Sequence, residues 1–196
     1  MPGKAMQIVH RARRLLLEPA VEWRSIAVEQ NDAASLFLRY GLILAAIPSI
    51  AAFLGYSVTG FDMLGHAVRL PIARGLGAAI ASYLLWLAGI WVTALVIELL
   101  APRFGGRADL VTGLKVAVHA PTAAWIASVF LAFPGLRILS LLGLVSVYTL
   151  AVGIPVVTRC PPDEAPGFAA IVVICFLAIA IAIALAGGSL LPGLFG

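Results

Sequence analysis

Charged residues are the scarcest feature of this sequence. They make up only 11% of the 196 residues, whereas hydrophobic residues make up 62%. Soluble globular domains carry about 25% charged residues. The shortage excludes an ordinary soluble fold for most of the chain, and the mean hydropathy of +1.08 agrees with this conclusion. The composition therefore predicts a membrane protein.

Residues that carry catalytic or metal chemistry are also few. The chain has three histidines and two cysteines, and two cysteines define neither a disulfide framework nor a metal site. It contains no HExxH pair, no GxSxG turn and no glycine-rich phosphate loop before a lysine. We therefore predict that the protein is not an enzyme and that it binds no cofactor and no metal.

Long apolar runs take up most of the chain. A hydrocarbon core of about 30 Å needs about 20 helical residues, and a bare backbone in lipid must be helical or belong to a closed barrel. Barrel strands would be shorter and would alternate apolar and polar residues. We predict an all-α membrane protein of one five-helix transmembrane bundle over residues 36–196, after an N-terminal arm of residues 1–35. The spans are expected at about residues 36–56, 75–101, 114–133, 138–158 and 168–191.

The distribution of positive charge predicts the orientation of these spans. Lysine and arginine collect in the cytoplasmic loops and helix ends of membrane proteins. With the N-terminus inside, ten of the 13 basic residues lie on the cytoplasmic side and three on the outer side. We expect a cytoplasmic N-terminus and an external C-terminus. The net charge of +4 is thus a topology signal, and we expect no nucleic-acid partner.

The arm begins with an amphipathic pattern. At 100° per residue, Ile8, Ala12 and Leu15 share one face of a helix over residues 6–17, and Arg11 and Arg14 lie opposite, with Arg13 at the margin. Pro19 ends this helix, and residues 20–30 predict a second one, in which Trp23 shares an apolar face. The arm is either a leader that lies on the membrane surface or a docking arm for a soluble partner. In both cases Arg11, Arg13, Arg14 and Trp23 are the expected lipid or partner contacts.

Four polar residues are expected together at the inner membrane face. Spans two and three form an antiparallel hairpin, so Glu98 and Lys115 lie at a similar depth, with His119 one turn deeper on the face of Lys115. Arg39 is expected at the same level. Two interpretations remain open for this cluster. It is a belt of ion pairs that fixes helix register, or it belongs to a path for protons or ions.

Prolines within the runs predict bent helices. Pro48, Pro121 and Pro155 each remove a backbone donor, and neighbouring groups must then satisfy the freed carbonyls. Broken helices can mark a transporter binding site. No segment of this chain repeats another, so a transport function would require a homo-oligomer.

An ordered set of residues along the chain resembles the Yip family, whose bacterial-type members are small five-span membrane proteins with a Rab-interacting-protein-like domain. The set begins with Leu16–Glu18 and Pro19 and continues with Trp23, Ile26, Glu29, Tyr40 and Phe53-Leu54-Gly55. The stretch from Leu100 to Gly106, which reads LAPRFGG, follows the second span, and Gly153-Ile154-Pro155 ends the fourth. Pro121, Trp125 and Pro134 complete it.

The resemblance implies a fold and a membrane location more than a chemistry. Eukaryotic members act as adaptors that bind prenylated Rab GTPases, and they carry an Asp-Leu-Tyr-Gly-Pro type motif before the first span. This chain has Leu-Arg-Tyr-Gly-Leu at residues 38–42, without the acid and the proline. Rab binding is therefore not expected here.

These observations lead to one functional prediction and one alternative. We predict a scaffold or adaptor in a bacterial inner membrane that organises membrane lipids or a protein partner through its arm. The alternative is a small oligomeric transporter or permeability factor. A continuous cavity lined by Glu98, Lys115 and His119 would favour the alternative.

Overall fold

The computed structural model describes residues 4–63 and 66–189 and confirms an all-α membrane protein. It contains five helical segments that are long and apolar enough to cross a membrane. We call them spans 1 to 5, and they cover Ala33–Val58, Ile72–Phe104, Leu110–Ala132, Pro134–Thr158 and Ala165–Ile183. The last helix itself continues to Ser189. Residues 190 and 191 of the predicted fifth run lie outside the described residues.

Each span begins three or four residues before its apolar run. Polar residues and prolines cause the difference, because they start helices without being hydrophobic. The Asp32 side chain accepts a hydrogen bond from the Ser35 amide at 2.6 Å, and that of Asp109 accepts one from the Thr112 amide at 2.8 Å. Hydropathy detects the part of a helix that lies in lipid and misses such a capped first turn.

The spans are less regular than their hydropathy suggests. Span 1 contains two π-helical turns, at Phe37–Gly41 and Leu54–Val58. Span 3 breaks between the helix Leu110–His119 and the helix Thr122–Ala127, at the position of Pro121. The other pieces are α-helices at Ala33–Leu36, Leu42–Leu44, Ala46–Phe53, Ile72–Leu100, Val145–Thr158 and Ala165–Ser189, and 3₁₀ segments at Ala101–Phe104, Ser128–Ala132 and Pro134–Leu144.

The two ends of the bundle differ in what covers them. At one end lie the arm and the loops after spans 2 and 4, which are joined where the Arg107 amide donates to the Thr158 carbonyl at 2.7 Å. We call this the arm end. At the opposite, far end, the loop after span 1 carries a short antiparallel pair of strands, Phe61–Met63 and His66–Val68. Arg137 donates to the Gly60 carbonyl there at 2.9 Å.

The arm is folded onto the bundle. It consists of a first helix, Lys4–Leu17, and a second helix, Pro19–Val28, which packs along span 4. Leu15, Trp23 and Ile26 are buried in the same hydrophobic core as the spans. The arm therefore contributes to the packing of the bundle, and it does not simply lie on a lipid surface.

The backbones of spans 2 and 3 approach each other closely at Gly113, which has no side chain to keep them apart. A Cβ atom at this position would come within 2.3 Å of the Ala94 carbonyl oxygen. Small residues allow such close approach of helices, which in lipid must be held by packing rather than by the hydrophobic effect. Gly113 thus fixes how near spans 2 and 3 lie.

We predict that Gly113→Ala destabilises the bundle by roughly 1–3 kcal/mol, the usual cost of overpacking. Gly77→Ala is the matched control, because it also lies inside a helix but has nothing within 4 Å of the added Cβ. Both variants gain the same helix propensity, so the difference between their free energies of unfolding reports the contact of the added Cβ with Ala94. Unfolding in mixed detergent micelles measures it. Equal stabilities of the two variants would contradict this account of the packing.

Candidate functional site

Trp23 is the centre of the contact between arm and bundle. Its side chain is fully buried, and its ring occupies the space beside Gly153 of span 4. A Cβ on Gly153 would lie only 2.3 Å from the Trp23 ring. The indole N–H finds no hydrogen-bond partner in the described ranges. Shape complementarity, and not hydrogen bonding, therefore holds this side chain.

A polar group of span 3 completes the pocket around Trp23. The His119 ring packs edge-on to Trp23, with centroids 6.3 Å apart, and lies 4.5 Å from the ring of Tyr40. His119 Nδ1 donates to the Lys115 carbonyl at 2.7 Å, since a carbonyl can only accept. Tyr40 is hydrogen-bonded to Thr122 at 2.9 Å. These buried polar groups are held by one another and by the backbone.

The break at Pro121 is satisfied by hydroxyl groups. Thr122 Oγ1 donates to the His119 carbonyl at 2.6 Å, and Thr149 Oγ1 of span 4 donates to the Ala120 carbonyl at 3.0 Å. Proline cannot continue the backbone ladder, so such side chains replace the missing bonds. The proline break therefore serves to fix His119 and Thr122 beneath the arm.

Ion pairs connect the two helices of the arm. Glu22 is almost completely buried, and Arg14 Nε lies 2.7 Å from its carboxylate. Arg11 lies 3.8 Å from Glu22 and also donates to Glu29. Burial raises the pKa of Glu29, but hydrogen bonds from Arg11 and Asn31 outweigh it, so the net pKa is lowered. The Glu29 carboxylate is therefore charged at neutral pH and holds Arg11 in place.

Lys115 binds the end of the second arm helix. Its ammonium donates to the carbonyls of Ala27, at 3.1 Å, and Glu29, at 2.7 Å. These carbonyls lie at the C-terminus of the helix Pro19–Val28, where they have no partner within the helix. A cation at this position also complements the negative end of the helix dipole. Lys115 thus joins span 3 to the arm.

The structure brings together some of the residues expected at the inner cluster and leaves others apart. Lys115 and His119 meet beneath the arm, whereas the described residues contain no ion pair between Glu98 and Lys115. Within the described residues, the side chains of Arg39 and Glu98 make no hydrogen bond and no ion pair. The physical reason is that the arm's bare carbonyls reach the Lys115 ammonium and take its hydrogen bonds.

The expected contacts of the arm are likewise divided. Trp23 is buried, whereas Arg11 and Arg14 pair with carboxylates of the arm itself and stay partly exposed, the Arg14 side chain by 38%. Arg13 is exposed, as expected. Arg24 of the second arm helix is exposed as well. Several exposed apolar side chains accompany these two arginines, namely Met6, Val9, Leu17, Val21 and Val28.

Sequence reasoning missed several residues of this junction. Glu22 and Glu29 share a face of the second arm helix, and their charge opposite to Arg11 and Arg14 was the signal for a pair of helices that bind each other. Tyr40 and Gly153 belong to the set that carries the family resemblance, but spacing alone gave them no partner. We call the whole contact the arm–bundle junction, and it comprises Arg11, Arg14, Glu22, Trp23, Glu29, Tyr40, Lys115, His119, Thr122 and Gly153.

Comparison with known proteins places the junction within a shared domain. The family model described as the Yip1 domain matches residues 13–184, which include all of the junction except Arg11. The inner membrane protein YohC of Escherichia coli K12 is 27% identical over 159 residues, which cover 79% of this chain and 82% of YohC. YohC of the E. coli O6:H1 strain CFT073 matches to the same extent. No solved structure matches the chain.

We predict that Trp23→Ala releases the second arm helix, because truncation of a buried tryptophan costs about 3–5 kcal/mol. Hydrogen exchange of the amides in Pro19–Val28 should become faster. Val28→Ala, which changes a side chain that is 79% exposed, is the control and should leave exchange unchanged.

Gly153→Ala should have the same effect as Trp23→Ala, because its Cβ would occupy the place of the indole. The two changes remove one contact, so the double variant should be no worse than the more damaging single variant. Additive losses of protection would show that Trp23 and Gly153 act separately and would overturn the assignment.

Proposed function

The chain belongs to the Yip1 domain family of membrane proteins, and we propose that it acts in the bacterial inner membrane as a scaffold or adaptor. The location is carried over from YohC, an inner membrane protein that the chain resembles over most of its length. In this proposal the spans anchor the arm, and the outer surface of the arm binds a protein partner or lipid headgroups. No catalytic step is part of the proposal.

The observation that supports an adaptor is the division of the arm into two faces. Its inner face is fixed by Trp23 and by the two hydrogen bonds of Lys115. Its outer face exposes Arg13 and Arg24 together with apolar side chains such as Val28. A surface held rigidly loses little conformational entropy when it binds, which favours recognition. Basic and apolar groups together suit an acidic partner or an anionic leaflet.

The transport alternative has less support. Lys115 and His119 direct their polar atoms to the backbone of the protein. Of the two best-formed cavities among the described residues, neither is lined by Glu98, Lys115 or His119. Neither of these two cavities therefore provides the continuous path that would favour transport.

We further propose that the arm end faces the cytoplasm. We predict that, in a variant without Cys160 and Cys175, a membrane-impermeant maleimide labels Arg69→Cys but not Arg107→Cys in intact cells. Both side chains are exposed, so the difference reports sidedness alone. The positive-charge excess at the arm end is the physical reason. Labelling of position 107 from outside would reverse the assignment and place the arm on the outer surface.

The adaptor proposal predicts a contact at the outer face of the arm. A photoreactive amino acid at position 28 should form discrete protein adducts in native membranes, whereas one at the lipid-facing position 99 should not. Arg13→Gln with Arg24→Gln should lower the yield at position 28 at least fivefold, because it removes both exposed charges without touching the junction.

The same loss of charge at the far end, Arg69→Gln with Arg74→Gln, is the matched control and should leave the adducts unchanged. An undiminished yield in the arm variant would mean that the charged face binds nothing. Equal losses in both variants would attribute the effect to net charge. Either result would contradict the adaptor proposal.

A further inference from the structure

The far end of the bundle contains a partly enclosed apolar cavity of about 270 Å³. It lies among spans 1, 2, 3 and 5, so its walls come from four different helices. Apart from Tyr56, Ser57 and Ser82, the side chains that line it are apolar, and they include Ala52, Phe53, Ala79 and Trp86. The cavity is separate from the arm–bundle junction, which lies at the other end.

One polar atom of the cavity wall lacks a partner. The Ser57 side chain is buried, and its hydroxyl has no hydrogen-bond partner within the described residues. The hydroxyls of Ser49 and Ser82, by contrast, are hydrogen-bonded to each other at 2.9 Å. A buried hydroxyl without a partner is unfavourable. A bound acceptor would remove this penalty.

The length of the cavity matches one leaflet of a bilayer. Along span 2 it extends from Gly75 to Trp86, and eleven helical residues rise about 16 Å. The hydrocarbon core is about 30 Å thick, so one leaflet contributes about half of that. Ser57 lies at the far-end rim, because a Cβ on Gly75 would contact its hydroxyl. The polar atom thus lies where the ester groups of a leaflet begin.

We propose that this cavity binds one acyl chain of a membrane phospholipid, whose ester carbonyl accepts a hydrogen bond from Ser57. The chain lies between spans 1 and 2 and ends near Trp86. The exposed arginines at the same end, Arg69 and Arg74, supply positive charge on the side of the phosphate. An acyl chain also suits the alanines of the wall, since these leave a narrow space between helices.

The test uses the full chain reconstituted in vesicles of phosphatidylethanolamine and phosphatidylglycerol. A small, increasing fraction of the phosphatidylglycerol carries a diazirine at the middle of one acyl chain. After illumination, mass spectrometry of peptides locates the adducts. Labelling at Ala52, Ala79 and Trp86 should saturate as the probe fraction rises, whereas labelling at the exposed Ala88 should rise in proportion. Proportional labelling at the cavity as well would overturn the proposal, because it would indicate annular lipid only.

Two variants test the contacts. Ala79→Phe fills the cavity and should lower labelling at Ala52 and Trp86 at least fivefold, whereas Ala88→Phe on the lipid-facing side of the same helix should not change it. Ser57→Ala should lower the saturable labelling at least twofold. Unchanged labelling in Ala79→Phe, or an equal loss in Ala88→Phe, would refute the site. The saturation measurement needs only the unmodified protein, so it decides the question even if Ala79→Phe does not fold.

Discussion

The contact of Trp23 with Gly153 is the constraint on which the arm end depends. Glycine leaves room on span 4 for an indole ring, and any larger residue would collide with it. Once the ring is in place, the second arm helix ends above span 3, and its last carbonyls come within reach of Lys115. The edge of the same ring meets His119. One steric fit thus determines where the charged and polar groups of two separate segments meet.

The junction contains a lysine because the second arm helix ends against the bundle, where its last carbonyls need hydrogen-bond donors. The C-terminal carbonyls of a helix need hydrogen-bond partners from outside the helix. A single lysine from a span can bind two of them, because its ammonium has three N–H donors. This explains why Lys115 remains compatible with a buried position and why it does not pair with Glu98. In this structure a basic residue in a membrane span stabilises a docked segment, so its presence alone is weak evidence for an ion path.

Hydropathy predicted the architecture because it reflects the solvent that surrounds the helices. Lipid demands about 20 apolar helical residues per span, and that demand is visible in single stretches of sequence. The docking of the arm was harder to predict. The apolar faces that carry Leu15 and Trp23 indicate that each arm helix is covered, but they do not identify the covering element. The cover comes from spans 3 and 4, which lie far later in the chain. Lys115 and Glu98 had the right depth, but depth does not reveal a third group that competes for the same ammonium.

A cavity between membrane helices differs energetically from a cavity in a soluble protein, and the two ends of the bundle illustrate this. In a soluble core an empty space forfeits contacts that no solvent replaces, so large voids are rare. In a bilayer, acyl chains surround the helices and can fill a space that opens between them, so small residues such as Ala79 can persist along a helix without a protein partner. The arm end, by contrast, must bury polar atoms, and only protein groups held in fixed positions can satisfy them. The same chain can therefore be closely packed around Trp23 and leave an apolar space beside Ser57, because a different medium is available to fill each end.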